Sequence, residues 1–411
     1  FGYKKKFCDL CFFSYLCENN LESINMKRFF IFVVAALLAV SDALFVSAQN
    51  GVTELQNLPK TIKSGPYKAG HIQGIAVDAE RKYIYLSYTT MLIKADLNGN
   101  VVGSVKGLLG HLGCLDFNAK DGRVYGSLEY KDDGIGKGIL KMEKSARKLD
   151  NAFYIAIFDV KRITRMDMDA EKDGIMTTVY LPTVLDDYLA KVTTNEGEKQ
   201  HRFGCSGIDG VSFGPRFGKK DGKEYLTVAY GIYGEVDRSD NDYQVLLQYD
   251  TNKWHKYETP LSQENMHTNG PAQPDREYFA MTGNTTYGVQ NLEYDPHTNN
   301  WFMCVYSGKK KHFPNYSLYA IDGVGRPVKQ PLKGIPYLKK GFVIPLKAEG
   351  LKDESTGIRG WNFTIGSTGI CSLGKGYFYI SQNYRSAEGQ GSNIRLYRYT
   401  GEAQNPFELV K

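Results

Sequence analysis

Five stretches of the chain share one hydrophobic frame. A small or polar start leads into alternating apolar residues and then a turn in HIQGIAVD from His71, HLGCLDFN from His111, GIDGVSFG from Gly207, GVQNLEYD from Gly288 and STGICSLG from Ser367. Period-two alternation marks strands that bury one face. An aromatic-rich second strand follows each: Lys82 to Tyr88, Arg123 to Tyr130, Glu224 to Gly231, Trp301 to Gly308 and Tyr377 to Asn383. Third strands follow at Met91 to Leu97, Tyr154 to Val160, Tyr243 to Asp250, Tyr316 to Gly323 and Ile394 to Gly401, most of them ending in a turn sequence such as NGN, TNK or GEA. VVGSVKG, MTTVYLP, WHKYETP and FVIPLKA supply fourth strands after most of these.

Four strands repeated in similar units predict an all-β chain folded as a five-bladed β-propeller. The repeats begin at 71, 111, 207, 288 and 367, so the blades differ in loop length; six or seven blades would need strands hidden in the long gaps. An open β-sandwich or two stacked β-domains is the other architecture this pattern allows. The gaps read as insertions: KDDGIGKGILKMEKSARKLD, a short helix at TVLDDYLAKV and the polar QENMHTNGPAQPDRE. VTELQ is expected to add the strand that closes the ring against the last blade.

Abundant Tyr (29), Phe (21) and Gly (43) suit short strands joined by tight turns. The 51 basic and 45 acidic residues are spread along the chain, so no nucleic-acid footprint is expected. Met26-Lys27-Arg28, the apolar run Phe29 to Val40 and the small-residue site Val46-Ser47-Ala48 form a signal peptide over 26–48. Residues 1–25 then read as a non-native leader, and 49–411 as one propeller domain that is secreted or periplasmic and spans no membrane after cleavage. Of seven Cys, Cys8, Cys11 and Cys17 fall in the leader; Cys114, Cys205, Cys304 and Cys371 lie far apart without zinc-type spacing and are expected to be buried free thiols. A monomer is expected.

In a propeller the first strand of each blade lines the channel and its leading residues reach the mouth. The shared frame therefore gathers His71, His111, Gly207, Gly288 and Ser367 at one level, Gln73, Gly113, Asp209, Gln290 and Gly369 two positions on, and Gly74, Cys114, Gly210, Asn291 and Ile370 one further. We take His71 and His111 as proton-transfer candidates, with Asp209 to orient them or to hold a divalent metal ion. Gln73, Gln290, Asn291 and Ser367 are candidate ligand-binding groups. Trp361 and Tyr384, with Tyr233 and Tyr243, are candidates for stacking on sugar rings. Glu129 and Glu293 are potential acids at strand positions. No nucleophile elbow, zinc helix, phosphate loop or dinucleotide fingerprint stands in a supporting context.

The signal peptide, the blade repeats and the HLGC start of the second blade resemble secreted five-bladed propellers of gut bacteria, among them a propeller-type N-acetylgalactosamine deacetylase. That resemblance implies a divalent metal in the channel, held with help from a His-x-x-Asp at the start of blade two; the matching stretch here is His111-Leu-Gly-Cys114, without the carboxylate. The expectation is an exported carbohydrate-active enzyme, hydrolytic or esterase/deacetylase-like, acting on a glycan or other small polar ligand. A non-catalytic glycan-binding or scaffolding propeller is the alternative, and calcium-dependent phosphoester hydrolysis, as in five-bladed apyrases, ranks behind both for want of a phosphate cradle.

Overall fold

The structure, a computed structural model, describes residues 53–411. The leader, the signal peptide and Cys8, Cys11 and Cys17 lie outside the described residues. Leu58–Lys411 form one compact unit. Within it the described residues fold as five antiparallel blades, one for each repeat of the frame.

Blade 1 runs Ile72–Val77, Tyr83–Tyr88, Met91–Asp96 and Val101–Lys106; blade 2 runs His111–Asn118, Arg123–Tyr130, Ala152–Phe158 and Met176–Tyr180. Blade 3 comprises Cys205–Pro215, Glu224–Ile232, Tyr243–Tyr249 and Arg276–Met281. In blade 4, Thr286–Asp295, Asn300–Tyr306 and Leu318–Asp322 form the sheet, and two isolated bridges, Leu318 to Trp361 and Ile321 to Leu346, replace the outer strand. Blade 5 consists of Ile370–Gly374, Tyr377–Arg385 and Gln390–Tyr399. Its outer edge is shared by Thr61–Lys63, which precede blade 1, and Phe407–Leu409, which follow the third strand of blade 5. Segments from before the first blade and after the last thus pair with one strand, which closes the ring without an unpaired seam.

Three predicted elements differ. Thr53–Gln56 of VTELQ are helical, and the closing strand lies later, at Thr61–Lys63. WHKYETP is not the outer strand of blade 3: Thr251–Lys256 form a 3₁₀ turn that buries Trp254, and Thr259–Pro260 extend the sheet of blade 2. The strand that takes the place is Arg276–Met281, beyond the polar insertion. FVIPLKA is split, Phe342 and Val343 adding parallel to blade 3 while Leu346 bridges to blade 4. The helix expected at TVLDDYLAKV is present as Pro182–Leu189, and the blade 2 insertion contains another, Gly134–Met142, capped by the Asp133 carboxylate.

Apolar side chains of neighbouring blades interdigitate, so the core is a series of inter-blade layers. Leu112, Leu128 and Tyr154 pack with Leu92 of blade 1, Ile155 and Tyr125 with Val228 and Leu247 of blade 3, and Phe302 with Phe378 and Phe407 of blade 5. Cys114, Cys205, Cys304 and Cys371 are buried free thiols. Among the described residues no helix is long and apolar enough to cross a membrane.

The inner strands carry the feature that builds the site. At the same frame position in four blades the ladder slips: between Ile72 and Gly74, Leu112 and Leu115, Ile208 and Val211, and Val289 and Asn291. Each slip places one extra residue on the inner strand, and such a bulge re-aims side chains. The residues within the slips are Gln73, Gly113 with Cys114, Asp209 with Gly210, and Gln290. Neighbouring blades are stitched beside them, Ser87 Oγ donating to the Gly113 carbonyl at 2.6 Å and Ser127 Oγ, its repeat equivalent, to the Asp209 carbonyl at 2.7 Å.

Candidate functional site

The middle of the channel is filled. Asn291 Nδ2 of blade 4 donates to the carbonyls of Gln73 in blade 1 (2.7 Å) and Ser367 in blade 5 (2.9 Å). Cys114 Sγ of blade 2 lies 3.4 Å from the Val211 carbonyl in blade 3 and 3.9 Å from that of Leu292 in blade 4. Gly74 packs so closely on this strand that a Cβ there would lie 2.7 Å from Cys114 Cα. With the axis occupied, the two ends of the channel are separate recesses.

At the end where the inner strands begin, His111 sits at the centre of a polar cluster. Its Nδ1 is buried, has no hydrogen-bond partner, and faces Asp209 Oδ1 at 3.5 Å and Glu129 Oε1 at 3.7 Å. Glu129, the penultimate residue of the second strand of blade 2, pairs directly opposite His111 in the ladder. Its Oε1 is 2.5 Å from Lys131 Nζ, and its Oε2 accepts from the Ile208 amide at 3.0 Å. Lys131 also donates to the Ser206 carbonyl at 2.8 Å. Asp209 Oδ2 accepts from Gln290 Nε2 at 2.9 Å, and Gln290 donates at the same distance to the Tyr287 carbonyl. Gly207 makes room for this packing: a Cβ there would lie 1.9 Å from Glu129 Oε2, and its φ of +128° suits only glycine.

Burial and charge decide the protonation of the cluster. Burial above all, then the charges of Lys131 and His71, holds the His111 imidazole down to about 3, so it is neutral in ordinary buffers. The Asp209 carboxyl is pushed well above the usual range by burial and by the Glu129 charge, with Lys131 and Gln290 opposing. Glu129 is also raised by burial, but the Lys131 charge and two hydrogen bonds favour its ionised form. Lys131 stays charged, because Glu129, Asp133 and Asp209 outweigh the cost of burying it. Burial and the neighbouring charges thus favour the ion pair at Glu129–Lys131 and the protonated form at Asp209, which faces His111 Nδ1.

The remaining candidates divide. His71 begins the inner strand of blade 1, is lowered by burial and by Arg385, and is near enough that its charge bears on His111. Gln73 is buried and spends its amide on Thr89 Oγ1 at 3.0 Å, and Asn291 is wholly buried on the axis, so both act on the architecture of the floor. Ser367 is buried, its hydroxyl near enough to bear on Tyr306, a residue partly open to solvent. The expected stacking role of Trp361 is corrected: it is 1% exposed in the layer between blades 4 and 5, with Nε1 donating to the Glu402 carbonyl at 3.0 Å. Tyr243 is buried against Phe279. Tyr384 is half-buried and packs over Gly391. Tyr233 does reach the mouth, 3.5 Å from Asp133 Oδ2 and with its ring 5.0 Å from that of His201.

A divalent metal fits this cluster poorly. Cys114, where the resemblance calls for an aspartate, faces the channel axis, and burial pushes its thiol up to about 12. The Lys131 ammonium already supplies the positive charge beside Glu129. Among the described residues no three His, Cys, Asp or Glu side chains are grouped so as to hold a metal.

Beside His111 a cavity of about 240 Å³ opens between the blade and the inserted helix Gly134–Met142. The imidazole lines it together with Glu129 and Lys131.

No family model matches the chain, and no curated protein matches it. Among solved structures, it is similar to a β-1,3-galactosidase of glycoside hydrolase family 43 bound to galactodeoxynojirimycin (11% identity, TM-score 0.39, covering 84% of this chain and 97% of that one). It is also similar to the soluble aldose sugar dehydrogenase of Escherichia coli (10%, 0.35, 82% and 98%) and to the pyranose dehydrogenase PQQ domain of Coprinopsis cinerea (11%, 0.33, 78% and 81%). The blade count and the site stand on the strand pairing and side-chain contacts described above.

Proposed function

We propose that this chain is an exported carbohydrate-active hydrolase that works at the channel mouth, with His111 as the proton-transfer group. The observation that supports it is the His111 imidazole itself. Its Nδ1 is buried and orphaned between two carboxyl groups, and the residue lines the cavity, which leaves Nε2 as the nitrogen for a ligand in this reading. A base held from behind by a carboxyl is the arrangement that proton transfer to a ligand oxygen requires, and such contacts are often long until a ligand tightens them.

In this reading the Asp209 proton moves to Nδ1 as Nε2–H is given to the leaving oxygen. Water attacks the electrophilic carbon, and the proton it loses returns by the same path to Asp209. Glu129 and Lys131 hold the field constant around the imidazole. His71, with no hydrogen-bond partner among the described residues, presents a second neutral imidazole at the mouth. A screen on host and plant glycans tests the assignment: His71→Ala with His111→Ala should abolish turnover, and unchanged turnover would sink it.

One feature favours a second reading, non-catalytic glycan binding. The Tyr188, His201 and Tyr233 rings form a contiguous aromatic group, with centroids 4.8 and 5.0 Å apart, beside Asp133. Aromatic faces next to hydrogen-bonding groups suit sugar rings. Saturable binding without product, weakened by Tyr233→Ala and indifferent to His111→Ala, would select it.

A further inference from the structure

The cavity beside His111 has the wrong lining for a sugar ring. Its apolar walls are Leu109, Ile135, Ile139, Leu140 and Leu149, contributed by the start of blade 2, the inserted helix and the return segment, with the exposed Lys148 also on its lining. Sugar hydroxyls buried against such walls would lack partners, at a cost that glycan sites avoid. The polar groups at its inner end are spent: Lys131 on Glu129 and the Ser206 carbonyl, Glu129 on Lys131 and the Ile208 amide. Nearer the opening, Lys137 is paired with Asp132 at 3.1 Å and Arg147 with Glu171 at 3.6 Å. The His111 imidazole lines the cavity beside them, its buried Nδ1 unpartnered between Asp209 and Glu129.

The cavity is also built in. Gly136 seats the helix on the strand end so tightly that a Cβ would lie 1.7 Å from the Lys131 carbonyl oxygen. The Asp133 carboxylate caps the helix through the Ile135 and Gly136 amides, both at 2.9 Å. Ile139 is buried, whereas Ile135 is 40% exposed at the cavity edge. A dry cavity of roughly 150 Å³ lined by such residues accepts a benzene ring. The 240 Å³ here has room for a chain of several carbons.

We infer that the substrate is an O-acylated sugar whose acyl chain is longer than acetyl and seats between Ile139 and Leu149, with the ester oxygen at His111 Nε2. This rests on the catalytic reading of the site and narrows it to ester hydrolysis. Water adds to the acyl carbonyl carbon and the carbon–oxygen bond to the sugar breaks. The sugar oxygen takes the Nε2 proton, the acyl carbon keeps the hydroxyl, and the remaining water proton restores Asp209. No co-reactant other than water is needed.

The test is a series of p-nitrophenyl esters, acetate to hexanoate, hydrolysed by the purified chain. Each methylene buried should raise kcat/KM by about fourfold until the cavity is full, and His111→Ala should remove the whole activity. Ile139→Trp, which fills the cavity, should bring the hexanoate-to-acetate ratio towards one; should that variant fail to fold, Ile135→Asp at the exposed edge reads the same ratio. A flat series that still depends on His111 overturns the inference and leaves the catalytic reading standing. Cleavage of glycosidic bonds through His111 with no ester hydrolysis does the same. Loss of every His111-dependent turnover overturns both.

Discussion

His111 and Asp209, ninety-eight positions apart by their numbering and on different blades, meet at 3.5 Å through Nδ1 and Oδ1. The contact exists because both inner strands slip register at the same frame position, which turns Asp209 inward from blade 3 while Gly113 leaves space on blade 2. A Cβ on Gly113 would stand 3.2 Å from Asp209 Oδ1. The pair couples one imidazole that lines a cavity with one carboxyl whose protonated form burial favours.

Asp209→Asn retains the acceptor for Gln290 and removes the exchangeable proton behind His111. We expect kcat to fall by about 10²- to 10⁴-fold, the usual worth of general acid–base catalysis, with KM little changed. His111→Ala should cost as much, and the double variant little more, because the two act as one unit. Additive losses in steady-state kinetics would separate the residues and remove the relay. The pH profile carries a second check: activity needs protonated Asp209, so it should fall as pH rises through a value well above the ordinary carboxylate range.

Lys131→Met strips the counter-charge from Glu129, which is 3% exposed. Breaking a buried ion pair from one side costs about 3–5 kcal/mol because the other charge is left uncompensated. Glu129→Gln in the same chain should recover much of that, since a neutral amide needs no partner charge and still accepts from Ile208. Urea unfolding of the single and double variants measures it. Equal stability of the two would mean that Glu129 is already protonated beside Lys131.

The repeated frame was legible because inner strands buried at their core positions alternate cleanly and end in turns, so all five repeats fall on the inner strands or their immediate leads. Outer strands lack that signal. WHKYETP carries strand-like aromatics yet forms a turn, while Arg276–Met281 stands behind a polar loop. The candidate site was half legible. His111 and Asp209 follow from the frame, but bulges have no sequence mark, and the Glu129–Lys131 pair emerges only once the second strand is laid against the first. Trp361 and Tyr243 illustrate the opposite error: aromatic residues near loops filled inter-blade layers, where large rings bury most area.

Asn291 holds three blades together from the axis. Asn291→Ala leaves the Gln73 and Ser367 carbonyls without that donor, and each buried unsatisfied group costs about 1–3 kcal/mol. A loss of roughly 2–4 kcal/mol in chemical unfolding is expected. Asn291→Asp should be worse, since a carboxylate cannot donate to either carbonyl. If Asn291→Ala unfolds like the parent, water has replaced the amide and the channel is wetter than its packing implies.

The opposite end of the channel should give the fold its pH dependence. Asp116 of blade 2 accepts from the Phe117 and Phe213 amides, and Glu293 of blade 4 accepts from the Ser372 amide at 2.6 Å. Burial raises Asp116 to about 7, and burial together with the Asp116 charge raises Glu293 well above the carboxylate range. A carboxyl whose folded value exceeds its unfolded value binds its proton more tightly in the native state. Its contribution is complete at low pH and is lost as pH climbs through the folded value. The parent should therefore lose stability from about pH 4, where the unfolded carboxyls ionise, through about pH 7, the folded value of Asp116, by a few kcal/mol in all, since each tenfold gain in proton affinity on folding is worth about 1.4 kcal/mol. Glu293→Gln keeps the acceptor for Ser372, mimics the protonated acid and relieves Asp116 of a like charge. Its unfolding free energy should decline less steeply across that window and exceed the parent's at the alkaline end. Parallel curves for the two proteins would show that Glu293 is ionised throughout and that the buried carboxyls do not share a proton.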